Sequence, residues 1–213
     1  MSFTTDHRPV LEVRGTDREA AAATGVALAA FLIGVLTAFA QGFLPGTINS
    51  LANSASGWTL FSVLLIWSVR VRPGLSALLG AASFLLLTIG YTAASAVRGH
   101  TYDPTLFGVV GLVVGPFVGL AAVWVRGRDV RAALATAALS GIAVGEAVYG
   151  LTVVRDSTSP VYWVLAGAAG LALLGYMTLR RLRESVTITL ALGCSAVVAA
   201  GFLIAFQSLG SIG

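Results

Sequence analysis

Seven apolar runs, each near the length at which a helix crosses a bilayer, succeed one another along the 213 residues. A hydrocarbon layer of about 30 Å takes roughly twenty apolar residues as an α-helix, and the runs fall at residues 20–43, 51–69, 74–97, 106–125, 132–154, 161–179 and 186–207. Hydrocarbon offers no partner to a backbone N–H or C=O, so such a run is either helix or part of a closed barrel. The period-two alternation of a barrel strand is absent, which leaves helix. The expected fold is all-α: a polytopic transmembrane helical bundle of seven spans over residues 20–207, with a cytoplasmic tail at 1–19 and a short external tail at 208–213. Composition agrees, since 57% hydrophobic and 10% charged residues with a mean hydropathy of +0.90 do not suit a surface in water. The lipid bilayer is the first expected partner, and the expected location is a cell membrane, the bacterial plasma membrane, crossed several times.

Charge gives the direction of crossing. All thirteen basic residues are arginine, and eleven fall in alternate connections: Arg8, Arg14 and Arg18, then Arg70 and Arg72, then Arg126, Arg128 and Arg131, then Arg180, Arg181 and Arg183. Only Arg98 and Arg155 fall in the others. Positive loops stay in the cytoplasm, so the expected topology is N-in and C-out. The basic pI near 9.8 is therefore a topology signal and not a nucleic-acid footprint. The aromatics agree, with Trp67 and Trp124 at cytoplasmic ends and Trp58, Tyr162 and Trp163 at external ends, where interfacial belts form. Ala38, Phe39 and Ala40 before Gln41 form an A-x-A-like site, so cleavage of span one as a signal peptide is an alternative that leaves the other six spans in place.

Within this apolar chain one acidic residue, Glu146, lies inside a span, in "GIAVGEAVYGL"; the others are in tails, in loops or at a membrane boundary. A charge at that depth is expensive, and intramembrane ionisable residues face a bundle interior or a cavity. Protonated, Glu146 donates a hydrogen bond to a neighbouring helix; ionised, it holds a proton, a metal ion or a ligand amine. Other polar or amphipathic side chains fall at a similar depth: Gln41 at the end of span one, Asn49 and Asn53 leading into Trp58, Tyr91 in the outer half of span three, and Tyr149 beside Glu146. Glu146, Tyr91, Asn53, Trp58, Tyr149 and Gln41 are the candidate ligand-binding residues, in an expected pocket that opens outward. Hydrogen bonding of helix ends alone is the structural alternative.

Gly111, Gly115 and Gly119 form a doubled GxxxG ridge, and Gly141 and Gly145 another. Such ridges let helix backbones approach closely, within the chain or against a membrane partner. Pro116 is expected to kink its helix. The single Cys194 cannot form an intrachain disulfide. His7 and His100 fall on opposite sides of the membrane, and there is no H-E-x-x-H, no P-loop and no pair of carboxylates within a span. No cofactor and no metal site is expected, and enzymatic activity is the less favoured reading.

The segments "LANSASGWTLFSVLLIW", "IGYTAASAVRG" and "GEAVYGL", with a later "YW", resemble an uncharacterised group of small multi-pass actinobacterial integral membrane proteins, a domain of unknown function. That resemblance implies no activity. A weaker similarity is to the substrate-binding subunits of energy-coupling factor transporters, which implies an outward-facing ligand pocket; their AxxxA contact motif has a counterpart in Ala23 and Ala27. The small seven-span membrane terpene cyclases are also similar, and imply a carboxylate acid such as Glu146, with Asp103. Three functions follow: small-molecule binding or transport near Glu146; an enzyme acting on a lipid or isoprenoid with Glu146 as general acid; or an accessory membrane subunit without its own ligand.

Overall fold

The computed structural model describes residues 9–210, with side chains from 17 to 208. Asp6, His7, Arg8 and the last three residues of the expected external tail lie outside the described residues, as do the side chains of Glu12 and Arg14. Among the described residues there are seven α-helices and no strand: α1 (Pro9–Phe43), α2 (Ala55–Val69), α3 (Pro73–Val97), α4 (Thr105–Trp124), α5 (Val130–Thr152), α6 (Pro160–Tyr176) and α7 (Ser185–Gly210). Six of these, all but α2, are long and apolar enough to cross a membrane. α1 continues back through residues expected in the tail. α4 runs on through Pro116, and α6 ends in a π-turn, Met177–Arg181, closed by the Leu182 amide on the Met177 carbonyl at 2.7 Å.

The second run departs most from expectation. Hydropathy starts it at residue 51, but Asn49–Asn53 form a 3₁₀ turn and α2 begins only at Ala55. Ser54 is extended, and its hydroxyl accepts the Gly57 amide at 2.9 Å, an N-cap that ends the turn and starts the helix. The resulting 15 residues span only about 22 Å at 1.5 Å per residue. α2 alone is thus shorter than the roughly 30 Å of a bilayer core, and the 3₁₀ turn and the extended Ser54 precede it in the run.

The closest pairings are α5 with α7, α3 with α4, α1 with α3, and α5 with α6. Glycines set them. Gly115 and Gly119 of α4 press on α3: a Cβ on Gly115 would lie 2.7 Å from the Ala81 Cα, and one on Gly119 would fall on the Ser76 carbonyl. Gly141 and Gly145 press on α7, where added Cβ atoms would meet Val198 at 2.6 Å and the Ala199 carbonyl at 2.7 Å. The chain's own helices therefore fill the space beside both ridges.

Interhelical hydrogen bonds sort the helix ends into two groups. At one, Arg126 donates to the Trp67 carbonyl and Arg181 to the Arg126 carbonyl, and Glu19 pairs with Arg72 at 3.2 Å. At the other, Arg98 donates to the Ala38 carbonyl, the start of α2 meets Glu146 of α5, and Ser54 before it meets Tyr162 of α6. The first is the arginine-rich end.

Candidate functional site

The first amides of α2, at the half-buried Ala55 and Ser56, have no acceptor within their own helix. Glu146 supplies the acceptor from α5. Its Oε1 receives the Ala55 amide at 2.7 Å and its Oε2 the Ser56 amide at 2.6 Å, while Ser54 takes the third amide, that of Gly57. A carboxylate at a helix N-terminus is favoured by the helix dipole, and hydrogen bonds to its ionised form are charge-assisted. The side chain is only 3% exposed. A short hydrogen bond between Ser54 Oγ and the Tyr162 hydroxyl ties the same turn to α6.

The other candidates divide. Gln41 meets the Tyr91 hydroxyl at 3.1 Å, and Asn49 donates to the Gln41 carbonyl at 2.7 Å. Tyr91 packs tilted against Trp58 at 5.9 Å between ring centroids and edge-to-face against Tyr102 at 4.9 Å. Gln41, Tyr91 and Trp58 thus form one cluster where α1, α2 and α3 meet, reaching Glu146 only through the first turn of α2. Asn53 is exposed in the 3₁₀ turn. Tyr149 turns the other way, onto Phe206 of α7 at 5.7 Å. In the α3–α4 loop, burial, then Tyr91 and Asp103, push the Tyr102 hydroxyl up to about 12. Hydrogen bonds from Thr105 hold the exposed Asp103 carboxyl below its ordinary value. Among the described residues no three His, Cys, Asp or Glu side chains gather as a metal site would require.

A cavity of about 600 Å³ forms a groove on the other side of α2. α5 forms its floor with Leu139, Ile142 and Ala143; α2 contributes Ser56, Leu60, Leu64 and Trp67, and α6 contributes Tyr162, Leu165, Ala169 and Leu173. None of the six candidates lines it, although Glu146 occupies the next position along the floor, three residues beyond Ala143. Ser56, Thr59 and Tyr162 place its polar atoms toward the capped end of α2, and the remainder of the wall is overwhelmingly apolar. Sequence reasoning missed Ser54, Ser56 and Tyr162. For Ser54 a signal existed, a serine just before an apolar run; Tyr162 lies 108 positions from its partner and has no local signal.

Six apolar helices of membrane-crossing length place this chain, by composition, among multi-pass membrane proteins. It belongs to a family of unknown function, DUF6518, whose profile matches residues 14–211. No curated protein and no solved structure matches it.

Proposed function

We propose that this chain is a seven-helix protein of a bacterial plasma membrane, N-terminus inside and C-terminus outside, that binds the hydrocarbon part of a lipid or isoprenoid-like small molecule in the groove between α2, α5 and α6. The observation that carries the reading is the groove itself. Its volume of about 600 Å³ lies within the roughly 300–1,000 Å³ of small-molecule sites, and its wall is apolar over most of its length. A polar solute in transit would find few partners there, so binding of an apolar ligand is favoured over transport of a polar one. Glu146 acts indirectly: by capping α2 it holds one wall of the groove. The arginine sidedness and the shared hydrogen bonds of the arginine-rich helix ends support the orientation.

The test is mass spectrometry of apolar molecules retained by the purified chain, compared with Ala169→Phe, which fills the groove from an exposed position. Retention by the wild type and loss in the variant is expected; equal retention overturns the reading. The accessory-subunit reading is favoured by one observation, that Ala143, Ala166, Ala169 and Gly170 give the groove small residues suited to a partner helix. Co-purification of a stoichiometric membrane partner, lost in the same variant, would replace the first reading with the second.

A further inference from the structure

We infer that the groove's occupant is an anionic phospholipid, its phosphate held at the arginine-rich end by Arg126, Arg131 and Arg181. This rests on the groove reading above and adds the class of head group. The apolar wall ends at Trp67 and Val125, and Val125 lies in sequence between Trp124 and Arg126. There the cations converge. The Arg126 guanidinium stands 4.7 Å over the Trp67 ring, and the Arg131 guanidinium 5.9 Å over the Trp124 ring. Arg181 reaches across from the end of α6 to the Arg126 carbonyl at 2.5 Å.

No carboxylate balances them. Among the described residues the ion pairs are Arg72 with Glu19 and Arg155 with Asp156, and nearby Asp129 is turned onto the Ala132 amide at 3.1 Å. Burial, and then the neighbouring Arg70, lower the Arg126 pKa from its ordinary value. Two donors here are also buried without an acceptor, Arg181 Nε and Trp124 Nε1. Orphaned donors and clustered guanidinium groups are each costly alone. A phosphate offsets both, because its oxygens accept several hydrogen bonds and arginine's planar fork matches them. A lipid phosphate, unlike free phosphate, brings a chain for the groove, whose α2 wall from Ser56 to Trp67 is about 16 Å long at 1.5 Å per residue. In the proposed orientation this end faces the cytoplasmic leaflet, where anionic lipids concentrate.

The experiment is native mass spectrometry of the full chain in detergent, titrated with dioleoylphosphatidylglycerol or dioleoylphosphatidylcholine. The wild type is expected to retain the anionic lipid preferentially. Arg181→Gln and Arg131→Gln should each weaken that retention roughly fivefold, the worth of one arginine at an anionic surface, and Ala169→Phe should abolish it. Arg128→Gln and Arg183→Gln, which remove exposed charges from the same end, should leave it unchanged. Equal losses in all four arginine variants would reduce the effect to diffuse charge and overturn the inference. Loss in Ala169→Phe without loss of head-group preference in Arg181→Gln and Arg131→Gln would keep the groove and overturn the head-group assignment. Loss in the arginine variants with full retention in Ala169→Phe would put the lipid outside the groove and overturn it too. Retention of neither lipid by the wild type would remove this inference and weaken the groove reading beneath it.

Discussion

The Ser56 amide donates to the Glu146 carboxylate at 2.6 Å across 90 positions of sequence. With the Ala55 amide at 2.7 Å on the other oxygen, both carboxylate oxygens are engaged by one helix start. The carboxylate gives acceptors to two backbone amides that have none within their own helix. Replacing Glu146 by Ala orphans both, and the loss should be roughly 2–6 kcal/mol, at about 1–3 per buried unsatisfied group. Glu146→Gln keeps one acceptor and should lose about half as much. Thermal unfolding in detergent measures both; an unchanged midpoint for Glu146→Ala would remove the capping role.

Ser54 and Tyr162 should behave as a coupled pair. Ser54→Ala removes the cap on Gly57, worth about 1 kcal/mol, and leaves the Tyr162 hydroxyl without its partner. Tyr162→Phe should therefore cost less in the Ser54→Ala background than in the wild type, with a coupling of at least about 0.5 kcal/mol. A double-mutant cycle with additive effects would contradict the pairing.

The runs that become α1 and α3–α7 were legible because hydrocarbon length, backbone satisfaction and arginine placement all act locally in sequence. The start of α2 was not. Hydropathy counts Leu51 and Ala52 as part of the run, whereas the Ser54 cap makes the helix begin at Ala55, and a 15-residue helix needs a partner such as Glu146 that no local pattern announces. Glu146 was recognisable as an anomaly, but the choice between ligand and backbone amide depends on packing between α2 and α5. The groove was illegible for the same reason: Leu60 and Leu165 read as ordinary span residues until their helices stand on either side of α5.

Gly115→Ala should destabilise the chain by about 1–3 kcal/mol, as overpacking does, since its Cβ would lie 2.7 Å from backbone atoms of α3. Gly201→Ala, where nothing lies within 4 Å, should be neutral or gain up to about 1 kcal/mol in helix propensity. Unfolding midpoints of the two variants check the contrast, and equal effects would argue against the α3–α4 contact.

Asp103 titrates below its ordinary value of 3.8 because Thr105 hydrogen-bonds its ionised form. A lowered folded-state pKa stabilises the fold above the ordinary value, and that contribution is lost as the pH falls through the lowered one. Asp103→Asn should flatten this part of the acid limb in a plot of unfolding midpoint against pH. An unaltered limb would show that the Thr105 contact has no weight in solution.

The proposed orientation places residues 155–160 outside and 126–131 inside. Single cysteines in the first loop, with Cys194 replaced by Ala, should react with an impermeant maleimide on intact cells, and cysteines in the second only after lysis. The reverse pattern inverts the topology and moves Glu146 to the inner leaflet.

The claim at the centre of this account is that the groove, and not the general lipid-facing surface, holds a hydrocarbon chain. A phospholipid with a photoactivatable group on its acyl chain, cross-linked to the purified protein and mapped by peptide mass spectrometry, tests it directly. The account predicts adducts concentrated on the α2 and α6 walls, at Leu60, Leu64, Leu165, Ala169 and Leu173, and their loss in Ala169→Phe. Adducts spread evenly over exposed apolar positions such as Leu32, Val113 and Val197, unchanged in that variant, would contradict it.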